Sequence, residues 1–127
     1  MTSTLDLAVI GNSTISALVD DKARIVWGCF PRFDGDSTFC ALLDNGGEGE
    51  RGVYDVSLFG HARTEQFYRR NSAIVITNLY DDNGNGIEIT DFAPRFKQFG
   101  RVFRPTMLVR HVRPLSGTPR IRIRLRP

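Results

Sequence analysis

Apolar and polar side chains alternate along most of this chain in short stretches broken by Gly, Asn and Asp, the period of two expected of strands with one face buried and one wet. Leu5 to Ile10, Ile15 to Val19 and Arg24 to Phe30 are predicted as the first strands. Gly11 and Asn12 separate the first pair, and Asp20-Asp21-Lys22 turns the chain between the second and third. Further strands are predicted from Gly52 to Leu58, Glu65 to Arg70 and Ser72 to Tyr80. The Asp81-Asp82-Asn83-Gly84-Asn85-Gly86 cluster then turns the chain so that Ile87 to Phe92 returns as the second arm of a long hairpin. Beyond a Pro- and Arg-bearing connection, Thr106 to Arg113 and Arg120 to Arg126 form the last strands.

One helical signal interrupts this pattern. After the loop Pro31-Arg32-Phe33-Asp34-Gly35-Asp36, Ser37 can cap a short turn that puts Phe39, Leu42 and Leu43 on one face. Asn45-Gly46-Gly47-Glu48-Gly49 is expected to be a flexible polar loop. The predicted fold is all-β, an antiparallel β-sandwich with one short helix.

In the final segment Ile121, Ile123 and Leu125 are expected to enter the core, with Arg120, Arg122, Arg124 and Arg126 on the opposite face. The alternation is still running at Pro127. Residues 1–127 are therefore expected to be a single domain cut from a longer polypeptide.

Composition narrows the classes. A chain of 127 residues can bury one sizeable core, and its 41% hydrophobic and 24% charged content is that of an ordinary globular domain. No apolar run approaches the length of a membrane span, and the N-terminus lacks the basic start and apolar stretch of a secretory signal; a cytoplasmic location is expected. Cys29 and Cys40 are predicted to be buried free thiols, close enough across a short loop that pairing stays open.

The net charge of +3 is unevenly spread, for Asp91 is the last acidic residue and ten basic residues follow it. Such a block suits either nucleic acid or an acidic protein surface. The Arg-Ile-Arg-Ile-Arg-Leu-Arg ending has no interleaved aromatic residue to stack on bases, so protein contact through Arg120, Arg122 and Arg124 is the better reading.

Motifs for cofactors weigh little. The Asp81–Gly86 cluster matches the first half of a calcium loop, yet Phe92 stands where the closing Glu is needed, so a hairpin turn is preferred. Gly47-Glu48-Gly49-Glu50-Arg51-Gly52 has dinucleotide spacing but no helix to follow it. Asn12-Ser13-Thr14 fits a glycosylation sequon and reads more simply as a turn. His61 and His111 stand apart from other metal ligands. Asp34, Asp36, Glu88 and Asp91 could in principle serve glycoside hydrolysis, but nothing in their spacing makes a pair converge, and solvated positions are expected. No cofactor, metal or catalytic residue is predicted.

Several stretches together resemble a known family. Leu5-Asp6-Leu7-Ala8-Val9-Ile10-Gly11-Asn12, Ser16-Ala17-Leu18-Val19 and Ile25-Val26-Trp27-Gly28-Cys29-Phe30-Pro31-Arg32-Phe33-Asp34 resemble the start of bacterial and archaeal members of glycoside hydrolase family fifteen. Phe39-Cys40-Ala41-Leu42-Leu43-Asp44, Ile89-Thr90-Asp91-Phe92-Ala93-Pro94, Arg110-His111-Val112-Arg113-Pro114-Leu115-Ser116-Gly117 and Leu125-Arg126-Pro127 continue the likeness in order. The resemblance implies a β-sandwich preceding an (α/α)6 barrel that carries two catalytic glutamates and hydrolyses α-glucosidic bonds in glucans or trehalose. That barrel would be the domain's partner.

Trp27, Arg32, Phe33 and Asp34 are the candidates for its seam near the substrate rim, or else for stapling their loop to the domain's own core. An autonomous carbohydrate-binding sandwich using Phe67, Tyr68, Phe96, Phe99 and Phe103 is the alternative, and an anion-binding module a third.

Overall fold

The computed structural model describes residues 6–32, 34–43 and 52–127. Along these the chain forms β1 (Ala8–Gly11), β2 (Ser16–Val19), β3 (Ile25–Cys29), β4 (Ser37–Phe39), a 3₁₀ turn (Ala41–Leu43), β5 (Val53–Leu58), β6 (His61–Tyr68), β7 (Val75–Asp81), β8 (Gly86–Phe92), β9 (Phe96–Gln98), β10 (Arg101–Phe103), β11 (Val109–Ser116) and β12 (Ile121–Arg126). Every strand pairing is antiparallel. One sheet has the order β1-β2-β3-β5-β12, with β4 also on β3; the second has the order β11-β8-β7-β6; β9 and β10 form a separate hairpin.

The inner faces of the two sheets meet in a core read directly from the alternation. Ile10, Ala17, Val19, Ile25 and Phe39 of the first sheet pack near Val75 of the second, and Val56 and Leu58 pack against Leu79, Ile87 and Ile89. The polar turn between β2 and β3 is built on the buried Asp20. Its Oδ1 accepts the backbone N–H groups of Lys22 and Arg24, and its Oδ2 accepts Arg24 Nε at 2.7 Å. The β7–β8 turn uses the same device: Asp81 Oδ1 accepts from Asn83 N and Asn85 N, and Asn85 Nδ2 donates to Asp81 Oδ2. These bonds, Asn85's first, hold the Asp81 carboxyl below its ordinary range. The calcium-like cluster is thus a hairpin turn whose lead carboxylate is engaged by its own backbone.

An ion pair ties the layers together. Asp91 of β8 lies directly opposite Arg110 of β11, with side chains 0% and 2% exposed. Arg110 Nε donates to Asp91 Oδ1 at 2.7 Å and Nη2 to Oδ2 at 3.2 Å. The guanidinium then reaches across to the first sheet, where Nη1 donates to Tyr54 O at 3.0 Å and Nη2 to Ala23 O, and it lies 4.7 Å from the Tyr54 ring centre. Asp91 is therefore not the solvated strand-end carboxylate expected from sequence. Its charge is admitted to the interior because one planar donor set satisfies it and two carbonyls at once.

Other departures have local causes. Ser37 opens a strand instead of capping a helix, and only a 3₁₀ turn follows, because Cys40 N and Ala41 N both donate across to Gly52 O. Gly52 sits at φ +66°, where a Cβ would fall 2.8 Å from Cys40 N. Cys29 is buried as expected, but Cys40 is exposed; both are free. The connection after β8 carries the unforeseen β9–β10 hairpin. The expected glycine-rich loop Asn45–Gly49, most of the dinucleotide-like motif, and Leu5 lie outside the described residues.

β12 departs furthest from the expected pattern. Ile121, Ile123 and Leu125 pair with Leu58, Val56 and Tyr54, so they share the core face of the first sheet. They are nonetheless exposed, Ile123 at 57% and Leu125 at 60%. Among the described residues the second sheet ends at β11, and the exposure of the row shows that none of its strands covers it.

Candidate functional site

At one end of the sandwich, Asn12 clamps three segments. Its Nδ2 donates to Pro94 O at 2.9 Å and Pro105 O at 2.7 Å, and its Oδ1 accepts from Thr14 N and Ile15 N. The side chain is buried with all of these bonds made, so the sequon is a turn, as expected. Pro94 and Pro105 bracket the β9–β10 hairpin, which therefore stands on a fixed base. Phe96 and Phe103 pack edge to face at 5.1 Å on it, and Phe99 at its tip is 95% exposed. A groove of about 480 Å³ runs beside the hairpin between Ile74, Phe92, Pro94 and Phe96.

The Trp27–Asp34 segment reaches the same end. Trp27 is half-buried in β3, and Phe30 packs edge to face on Phe39 at 6.1 Å, holding the loop to the core. Thr106 Oγ1 donates to Pro31 O at 3.4 Å, which joins this loop to the segment leaving the hairpin. Arg32 and Asp34 are exposed and pair with each other at 2.9 Å. Phe33 lies outside the described residues.

The arginine row of β12 is divided. Arg124 pairs with the buried Asp55 at 2.7 Å, whereas Arg120 and Arg122 are exposed. On the opposite face of that strand, a groove of about 410 Å³ is lined by Ile87, Val112, Pro114, Pro119 and Ile121.

The remaining candidate groups are dispersed. Glu88 is held by Arg113 at 2.8 Å, first by hydrogen bonding and then by its charge, which keeps the carboxyl below its usual range. His61 Nε2 lies 2.7 Å from Thr64 Oγ1, and His111 is exposed on β11. Among the described residues no three His, Cys, Asp or Glu side chains come together as metal ligands. Sequence reading missed the Asp91–Arg110 pair and the Asn12 clamp, because each joins residues far apart in the chain.

Residues 3–127 match the family model described as trehalase-like, N-terminal. The chain belongs to the trehalase-like N-terminal domain family. Among curated proteins this domain is similar to "Trehalase" of Thermoplasma volcanium, 26% identical over 76% of the chain and 15% of that protein. It is likewise similar to "Trehalase" of Thermoplasma acidophilum, at 27% identity over 87% of the chain and 18% of the relative. "Trehalase 1" of Sulfolobus acidocaldarius is 58% identical over 69% of the chain and 15% of its own length. The trehalase-like N-terminal domain thus spans less than a fifth of each of these relatives. No solved structure gives a significant match. Among the described residues no helix is long and apolar enough to cross a membrane.

Proposed function

We propose that this domain is the non-catalytic N-terminal part of a trehalose-hydrolysing protein, that it packs against the catalytic barrel of the same polypeptide, and that it works in the cytoplasm. The observation that carries this is the row Ile121, Ile123 and Leu125, which lies on the core face of its sheet with no strand of the second sheet above it. An apolar row of this kind is stabilised by cover, at about 25 cal/mol per Å² removed from water. Trp27, Arg32 and Asp34, with the exposed hairpin near their loop, supply a second contact at the seam and bring the domain to the substrate rim, and Phe33 is assigned to the same contact from the sequence. Arg120 and Arg122 project from the opposite face of β12 and do not frame the apolar row. Trehalose is preferred to maltooligosaccharides as the parent's substrate because the curated relatives carry the name trehalase. Catalytic glutamates belong to the barrel.

The test compares the 127-residue chain with a polypeptide that joins it to a catalytic barrel. The chain alone should release no glucose from trehalose, and the joined protein should. Ile123→Asp with Leu125→Asp should lower the melting temperature and activity of the joined protein while leaving the melting of the short chain unchanged. Turnover by the short chain, or an unaffected joined variant, would overturn the reading.

A second reading has one observation behind it. The apolar groove beside the Phe96 and Phe103 rings has the size of a ligand pocket and could seat a sugar face. Calorimetric titration with trehalose and maltooligosaccharides decides it, since a carbohydrate-binding module must give saturable heat without any barrel attached.

A further inference from the structure

A recess of about 160 Å³ lies where the β2–β3 turn meets β5, the start of β6 and the arginine face of β12. Lys22, Arg24, Arg122 and Arg124 line it, against Asp55 as its one acidic wall residue. Two of the cations are fixed in place. Arg24 is held by Asp20 and Arg124 by Asp55, each at 2.7 Å and each partly covered. Each guanidinium still has N–H donors beyond those two contacts. Lys22 and Arg122 are exposed, and neither has an ion-pair partner among the described residues. Even after both paired carboxylates are set against them, the four cations leave two positive charges in excess.

We propose that this recess binds a phosphate group, as inorganic phosphate or as the phosphate of a sugar phosphate. The excess charge matches a dianion, and preset guanidiniums need little reordering to receive one, which is where much of the cost of binding arises. Its volume falls short of the ~300 Å³ at which pockets for larger organic ligands begin, so it takes the anionic group and not a disaccharide. His61 is the one ring in its lining, with no Phe, Tyr or Trp beside it to build the row of stacking platforms that a nucleic acid strand uses. The site is separate from the proposed docking row, since Arg122 and Arg124 share the face of Ser57 and Asp55, opposite to that of Ile121, Ile123 and Leu125.

The test is thermal melting and calorimetric titration of the 127-residue chain with sodium phosphate, with glucose 6-phosphate, and with sodium chloride at matched ionic strength. Phosphate or glucose 6-phosphate should raise the melting temperature saturably above the chloride control, and the tighter binder of the two identifies the source of the group. Lys22→Ala with Arg122→Ala should weaken that binding at least about tenfold, the loss expected on removing charge-assisted hydrogen bonds. Both residues are exposed, so the unliganded melting temperature should hold. Arg95→Ala with Arg101→Ala, on the hairpin, should leave the affinity as it was. No rise beyond the chloride control, or equal weakening by the two double variants, would overturn the proposal, the latter by revealing diffuse charge attraction in place of a site.

Discussion

Arg110 directs its guanidinium into the protein interior, bonding Asp91 on its own sheet, the carbonyl of Tyr54 on the other and that of Ala23 in the β2–β3 turn. Arg110→Met should therefore destabilise the domain by about 3–5 kcal/mol in urea unfolding, because a buried carboxylate loses its ion-pair partner among the described residues. Adding Asp91→Leu should recover part of that loss but not all, since Tyr54 O and Ala23 O still lack their donor. A single variant as stable as the parent would contradict this account. The pH response has two signs. Glu88 and Asp81 are held below their ordinary values, so their contribution is complete above about pH 4.5 and is lost as the pH falls through the lowered values. Asp91 runs the other way: burial pushes its carboxyl up against the pull of Arg110, so its contribution is present at low pH and declines as the pH rises through the raised value. Glu88→Gln should flatten the acid limb of a stability-pH curve. At neutral pH it should cost no more than about 1 kcal/mol, and less in high salt, because Arg113 is exposed.

The β9–β10 hairpin shows how an element without a core of its own is held. Its strands are three residues each, and its bases at Pro94 and Pro105 both accept from the Asn12 side chain. Asn12→Ala should cost about 2–4 kcal/mol, as several buried groups lose their partners together, and should open residues 95–104 to proteolysis. Resistance of that segment in the variant would show that the clamp is not what fixes it. Phe99→Ala, in contrast, should alter stability by less than about 0.5 kcal/mol, for the ring is 95% exposed. If the hairpin docks, that same change should weaken attachment of a separately produced catalytic barrel.

Across the whole molecule, two sheets of unequal extent leave β12 with an uncovered inner face. In the absence of a covering partner, the 127-residue chain should self-associate as its concentration rises, despite its net charge of +3. Sedimentation velocity should show the shift, and Ile123→Asp should return the chain to a monomer. A monomer at every concentration would mean that this face is not sticky enough to serve as a seam.

Local chemistry settled much of this fold before any tertiary contact was known. Alternation placed β2, β3, β5, β7 and β8 close to their observed positions, and Asp and Asn at the turns named where the chain reverses, because side-chain period and turn bonding are matters of near neighbours. The likeness of Trp27–Asp34 and Thr90–Pro94 to a hydrolase family was also legible, and the family match over residues 3–127 agrees with it. Tertiary structure decided the rest. Period two tells which residues share a face but not whether another layer extends over that face, so Ile121, Ile123 and Leu125 read as core and lie in the open. Asp91 read as solvated and lies inside, since its partner Arg110 comes from a strand beyond the intervening hairpin. The cationic recess, too, draws on the β2–β3 turn and β12, far apart in the chain, and only the sheet order makes them neighbours.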